Sequence, residues 1–308
     1  MDSNAQRRLG FFYVFIAAGL WSSAEVVIRI VVDDISPIQL GAVRFALGGV
    51  FLGLFLPGEL RRRGLRLNRR VLFHAAWMSF VGMTLANICY QYSLQHAGAG
   101  VIATLFGANP LMVLVLSALI LREPLTAPRF IGVMLGFVGI LILGGSEESE
   151  IFSMLGFSLG LVFVFGFSFF TVCVKRFAGE FAGLPIVALC ALFSAAYFVP
   201  ISLWEGDHSY FGRLPDIWLP LLYLGVGTTG MSFYFFFKGL QHVDATQATS
   251  IILLKPPLAT VLAAAVLGEP VTWNLAISIL LVLGGLYFVI VVYRFRTPRI
   301  FRKRGQHA

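Results

Sequence analysis

Long apolar runs, each about the length of a membrane-crossing helix, dominate the chain, and short polar segments separate them. Ten such runs can be counted, at about 10–31, 36–57, 71–94, 98–121, 127–145, 153–175, 183–203, 216–239, 244–267 and 272–293. A helix needs roughly 20 apolar residues to cover the hydrocarbon core of a bilayer. The runs reach that length without the period-two alternation of a barrel strand. The pattern predicts an all-α integral membrane protein, with connections too short to hold a soluble domain.

The same pattern repeats at an offset of about 146 residues. Gly98–Thr126 (GAGVIATLFGANPLMVLVLSALILREPLT) parallels Asp244–Thr272 (DATQATSIILLKPPLATVLAAAVLGEPVT). Asn109-Pro110 stands where Lys255-Pro256 stands later, Arg122-Glu123-Pro124 matches Gly268-Glu269-Pro270, and Thr126 matches Thr272. The register holds without gaps for Gly10 and Gly156, Ser22 and Ser168, Arg29 and Lys175, Leu94-Gln95-His96 and Leu240-Gln241-His242, and Gly139 and Gly285. One register across nearly the whole chain implies two homologous halves. Arg7 and Arg8 ahead of an apolar run resemble a signal peptide. The repeat argues against that reading, because cleavage would leave the span after Gly156 without a counterpart.

Composition agrees: 58% of residues are hydrophobic and only 12% charged, against about 25% charged in soluble domains. The charges sort by side. Arg7, Arg8, Arg61, Arg62, Arg63, Arg66, Arg69, Arg70, Arg122, Arg129, Lys175, Arg176, Lys238 and the tail arginines fall on one side, and Asp33, Asp34, Glu147, Glu148, Glu150, Glu205, Asp207 and Asp216 on the other. The basic side is expected to be cytoplasmic, with both termini there. The net charge of +8 is then mainly a topology signal, and the basic tail 294–308 suits anionic headgroups rather than nucleic acid. Cys89, Cys173 and Cys190 fall inside spans and read as small apolar residues, with no disulfide framework, metal site or cofactor motif.

Five spans in each half is an odd number, so the second half must enter the membrane from the opposite side. The expected organisation is a cytoplasmic N-terminus (1–9), a first five-helix repeat (10–145), a second, inverted repeat (153–293) and the tail (294–308). Inverted repeats are typical of secondary transporters, with the substrate near the midplane between the halves. The paired ends LREPLT and LGEPVT, the halves of five and Trp21-Ser22-Ser23 in the first span resemble the drug/metabolite transporter superfamily, and within it the EamA-like ten-span bacterial carriers. That resemblance implies an inner-membrane carrier exporting a small metabolite, such as an amino acid, an amine or a related compound.

Polar residues inside the spans are the candidate site. A charge near the bilayer centre costs about 2.5–3.5 kcal/mol on insertion scales, so it should face protein or water. Trp21, Glu25 and Arg29 share a face of span one; Glu25 can pair with Arg29 or with Arg44 of span two, or line the path and bind a proton or an amine. Thr84, Asn87, Gln91 and Gln95 form a stripe on span three, and Thr228, Thr229 and Ser232 answer on span eight. Asn109-Pro110 and Lys255-Pro256-Pro257 break the backbone ladder at matching positions, and paired breaks point to a binding site. Lys255 lies too deep to reach the interface by extending its stem. Its charge is expected to meet a substrate carboxylate, the alternative being a permanent tie to Glu25. The candidate substrate contacts are therefore Trp21, Glu25, Arg44, Asn87, Gln91, Asn109, Thr228, Ser232 and Lys255, with Glu25 as the coupling residue.

Spans five and ten carry almost no polar residues, and Gly132, Gly136 and Gly139 offer a close-packing face. They read as peripheral packing or homodimer helices, which leaves eight spans to enclose a cavity. Scattered histidines and the lack of a convergent catalytic set argue against an enzyme. A sensor or scaffold would need loops or domains that the sequence lacks. Because the interior charges are net cationic, exchange of organic phosphates or nucleotide sugars is the second transport reading.

Overall fold

The computed structural model describes residues 3–122, 127–144, 153–205, 210–242 and 254–288. Outside the described residues lie Glu123, Pro124 and Thr126 of the first repeat's motif, the acidic residues Glu147, Glu148, Glu150 and Asp207, residues 244–253 of span nine, and the basic tail. Span one is α1 (Ser3–Ser22) and α2 (Ala24–Val31), and span two is α3 (Pro37–Arg63). Span three is α4 (Arg69–Met78), a π-helical segment (Ser79–Leu85) and α5 (Ala86–His96). Span four is α6 (Ala99–Gly107) and α7 (Asn109–Ile120), and span five is α8 (Ala127–Gly144). Spans six and seven are α9 (Met154–Phe177) and α10 (Leu184–Glu205). Span eight is α11 (Tyr210–Leu222), a second π-helical segment (Tyr223–Met231) and α12 (Ser232–Gly239). The described part of span nine is α13 (Lys255–Leu267), and that of span ten is α14 (Trp273–Tyr287). No strand occurs among the described residues.

Seven of the runs contain a helix long and apolar enough to cross a membrane, from Ala5–Val31 to Leu214–Gly239, and the other three contain a shorter apolar helix. Large apolar side chains point outward along their length, among them Phe15, Leu54, Phe137 and Leu280. Trp204 and Trp273 stand almost fully exposed at helix ends, where indole rings suit a headgroup boundary. The protein is therefore a multi-pass membrane protein.

Local sequence explains where the helices start and stop. Ser36 and Gln39 form a reciprocal capping box at the head of α3, with Pro37 in its first turn, and Gly64 ends it at φ 65°. The second repeat's terminal motif resolves into three separate jobs. Gly268 stops α13 in the left-handed conformation (φ 70°), and Thr272 accepts from the Leu275 amide to cap α14. Glu269 reaches across to α6, where its carboxylate accepts from the Ala99 and Gly100 amides at 2.9 and 3.3 Å. An anion at the positive end of a helix satisfies donors that have no intrahelical partner. Arg122, at the position matching Gly268, adopts the same left-handed conformation (φ 56°) despite carrying a side chain. The two π-helical segments also lie at matching positions of the two halves.

Packing pairs the halves. Span two lies against span seven, span four against span nine, and span five against span ten, while span three packs on span six and span one on span eight. Exchanging the two halves maps this set of pairs onto itself. The small-residue face of α8 is used inside the chain: a Cβ on Gly285 of α14 would run into the Gly132 carbonyl and sit 3.0 Å from the Gly136 nitrogen. Gly285→Val is accordingly expected to wedge α8 and α14 apart and lower stability by about 1–3 kcal/mol, the usual cost of overpacking. A lower melting temperature in detergent checks this, with Gly284→Val as control, since a Cβ at Gly284 meets nothing within 4 Å.

Candidate functional site

Residues from eight of the ten apolar runs line a cavity of about 420 Å³, and among the described residues none of α8 or α14 lines it. Its size falls within the range of small-molecule sites. Six of the sequence-predicted residues are on its wall: Trp21, Arg44, Asn87, Asn109, Thr228 and Lys255. Glu25 lies just behind the wall, fully buried, and joins the site through Lys255.

The break positions place the polar contacts. Because Pro256 occupies the first turn of α13, that helix begins at Lys255, deep in the protein. The Lys255 Nζ donates to Glu25 Oε1 at 2.6 Å, with the two side chains 4% and 0% exposed. The same ammonium sits 3.7 Å from the centre of the Phe106 ring, so a cation–π contact covers another side of the charge. In the other half, Asn109 heads α7 and donates through Nδ2 to the Ser168 hydroxyl at 2.7 Å. Each break residue thus reaches across to a span of the opposite half, Lys255 to span one and Asn109 to span six. This settles why a charge at one break is matched by an amide at the other. The residue facing Lys255 is a carboxylate, whereas span six has Ser168 to face Asn109 and carries Thr171 at the position matching Glu25.

Three expectations are corrected by this geometry. The i, i+4 pair of Glu25 and Arg29 does not form: Arg29 instead donates to the Leu94 and Gln95 carbonyls at 2.7 and 3.2 Å, near the end of α5. A cation there complements the negative helix end. The tie between Glu25 and Arg44 is likewise replaced by that with Lys255, and Glu25 Oε2 has no hydrogen-bond partner among the described residues. Gln91 and Ser232 are buried between helices and do not line the cavity. On span three the wall takes Met83, Asn87 and Tyr90, so Gln91 falls on the flank, and neither atom of its amide group has a partner among the described residues. On span eight the wall takes Thr229, Phe233 and Phe236, and the Ser232 hydroxyl turns back to donate to the Thr228 carbonyl. Thr84, expected on the same stripe, bonds Ser194 of α10 at 2.9 Å.

Sequence reasoning missed the aromatic character of the wall. Ten of its 23 residues carry aromatic rings, which makes the cavity apolar apart from a few fixed polar groups. Phe163, Phe167 and Phe170 recur on α9 at helical spacing, and Phe233, Phe236 and Phe237 do so on span eight. The stripes are visible in the sequence, but Phe137 and Phe165, of the same type, face outward.

Comparison with known proteins agrees with this architecture. The model of the EamA-like transporter family matches twice, over residues 8–145 and 154–291, so the two sequence halves are two copies of one unit. The chain is similar to the uncharacterized transporter YetK of Bacillus subtilis (strain 168), with 26% identity over 91% of this chain and 86% of that protein. It is also similar to an uncharacterized transporter of Clostridium kluyveri (21% identity, 90% and 91% covered) and to the uncharacterized inner membrane transporter YicL of Salmonella typhimurium (23% identity, 92% and 95% covered). A solved crystal structure shares the fold at a TM-score of 0.64 and 21% identity, with 96% of this chain and 99% of that one covered. With the family model matching both halves of the chain, the chain belongs to the EamA-like transporter family.

Proposed function

We propose that the protein is a secondary active transporter that moves a small metabolite by alternating access around the central cavity. The observation that carries this is the buried Glu25–Lys255 pair beside the cavity, at the point where the two broken spans of the repeats meet. Buried charges are kept where they are used or paired. Here the pair joins a span of one half to a span of the other, so relative motion of the halves must alter it. In this reading the chain crosses the inner membrane of a bacterium ten times, as two inverted repeats of five, with both termini cytoplasmic. The self-mapping set of helix pairs and the matching π-helical segments support two halves related by pseudo-two-fold symmetry, and the charge asymmetry of the loops supports the orientation. The direction is export, and the substrate is an amino acid, an amine or a related compound.

Glu25 is the coupling residue in this scheme. Its carboxylate holds Lys255 in the state described here. A proton or a competing cation on Glu25 would free the ammonium and loosen span nine from span one. Organic-phosphate exchange is less favoured, because Glu25 neutralises Lys255 and leaves, among the described residues, one cation at the wall without an ion-pair partner for a multiply charged group.

Flux of candidate metabolites into sealed proteoliposomes tests the function. Accumulation driven by an imposed pH gradient is expected, and binding without flux for every ligand would point to a sensor instead. Topology is checked in a background lacking Cys89, Cys173 and Cys190. A cysteine at Arg66 is expected to react with an impermeant reagent only from the inside, and one at Asp33 only from the outside. The reverse pattern would overturn the orientation.

A further inference from the structure

With Lys255 held by Glu25, the cation at the wall that lacks an ion-pair partner among the described residues is Arg44. Its side chain lines the cavity, and the residue is 7% exposed. Its Nε and Nη1 are buried and find no acceptor among the described residues. The nearest aromatic face, Tyr90, lies 6.0 Å from Cζ, at the outer limit of a cation–π contact. A guanidinium cannot discharge itself by losing a proton, so desolvated donors there call for an anion. Nε belongs to the Nε/Nη2 edge of the guanidinium and Nη1 to its Nη1/Nη2 end, and either pair matches a carboxylate bidentately. Glu25 and Lys255 cancel, so the local balance asks for one negative charge. Among the described residues the carboxylate at the site is Glu25, which is fully buried behind the wall. Its charge is already matched by the Lys255 ammonium at 2.6 Å, so it carries no unbalanced charge for a substrate ammonium. The rest of the wall, from Trp21 through Phe167 and Phe170 to Phe233 and Phe236, presents ring faces and edges.

We infer that the cavity binds a monoanionic carboxylate carried on an aromatic body, with Arg44 gripping the carboxylate and the rings of spans six and eight taking the body. The inference rests on the transport reading only in taking this cavity as the substrate site. It moves the anion contact expected at Lys255 to Arg44, and within the proposed substrates it selects acids over amines.

The test needs no variant at first. Purified protein is titrated with hydrocinnamate, and with the primary amine and the alcohol of the same carbon skeleton. Quenching of tryptophan fluorescence and the shift in melting temperature are both read, Trp21 being on the wall. Hydrocinnamate or its larger analogue indoleacetate is expected to bind at least tenfold more tightly than the amine and the alcohol. Equal binding of the three, preference for the amine, or no binding of either acid at millimolar concentration overturns the inference. Arg44→Gln is then expected to weaken acid binding about tenfold to a hundredfold, the range for charge-assisted hydrogen bonds, and to leave the alcohol's affinity unchanged. If the glutamine variant does not fold, Arg44→Lys serves: it keeps the charge but loses the bidentate fork, and should bind the acid more weakly than the parent does. Unchanged acid affinity in a folded variant overturns Arg44's role. Counterflow of labelled acid in proteoliposomes separates the two readings. Acid-selective binding without flux removes transport and keeps the site, whereas flux of amines alone keeps transport and removes the acid.

Discussion

Lys255→Met is expected to lower stability by about 3–5 kcal/mol, because it strands the Glu25 carboxylate in the interior. Among the described residues that carboxylate has a single hydrogen-bonded cation, at 2.6 Å, and its second oxygen has no partner. Glu25→Gln alone should cost a similar amount, since it leaves the Lys255 ammonium with only the Phe106 ring and the distant Arg44 repelling it. The double variant, Glu25→Gln with Lys255→Met, is expected to recover much of the loss, because exchanging a buried ion pair for neutral groups of similar size is often close to neutral. Melting curves of the four proteins in one detergent give the coupling energy. If the two single losses simply add in the double variant, the pair seen here does not govern the fold. The same four proteins decide the mechanism when pH-driven flux is measured. The double variant is expected to be stable and uncoupled; if it retains full proton-driven accumulation, Glu25 is not the coupling group.

The large features of the fold were legible because they follow from solvent. The apolar runs are set by the bilayer, a constraint that acts on every residue of a membrane-crossing helix, and the offset between halves comes from the repeated unit. The repeat motif was legible as a pattern but not as a set of jobs. That Glu269 caps α6, in the other half, depends on which helix end lies beside it. The site was legible as a composition of polar residues in spans, and less so as a geometry. Lys255 stood out for its depth and Arg44 for its fixed charge. Which cation would take Glu25 depended on where the break at Pro256 put α13, and Coulomb attraction alone does not choose among Arg29, Arg44 and Lys255. Gln91 and Ser232 fall off the cavity wall because Gln91 stands one position beyond the wall residue Tyr90, and Ser232 one position ahead of the wall residue Phe233, on their helices. The π-helical segments just before them also turn the face. The aromatic wall stayed hidden for another reason: in a membrane, phenylalanine is equally at home facing lipid and facing a cavity.

Gly107→Val is expected to abolish transport while leaving a folded, less stable protein. Gly107 ends α6 at the break of span four, and Pro256 opens α13 at the break of span nine. The two meet at the cavity wall. A Cβ on Gly107 would overlap Pro256 Cγ and stand 3.4 and 3.5 Å from its Cβ and Cδ. A proline ring cannot rotate away, so one of the broken spans must shift. Overpacking of this kind costs about 1–3 kcal/mol, which a membrane protein of ordinary stability can survive. The functional cost should be larger, because the groups on either side of the collision are those that form the site. Phe106 precedes Gly107 and covers the Lys255 ammonium at 3.7 Å, and Asn109 follows it with its bond to Ser168. A displacement of about 1 Å at a positioned group can cost on the order of a hundredfold in rate. Flux should therefore fall at least tenfold in Gly107→Ala and below detection in Gly107→Val. The collision is with ring atoms, so Pro256→Ala should partly restore flux to Gly107→Ala, a rescue that a general folding defect would not show. Gly19→Ala, where a Cβ meets nothing within 4 Å, is the control and should transport like the parent. Parental flux in a folded Gly107→Val protein would mean that the two breaks do not have to stay in contact during the cycle, and the site would have to be sought away from their junction.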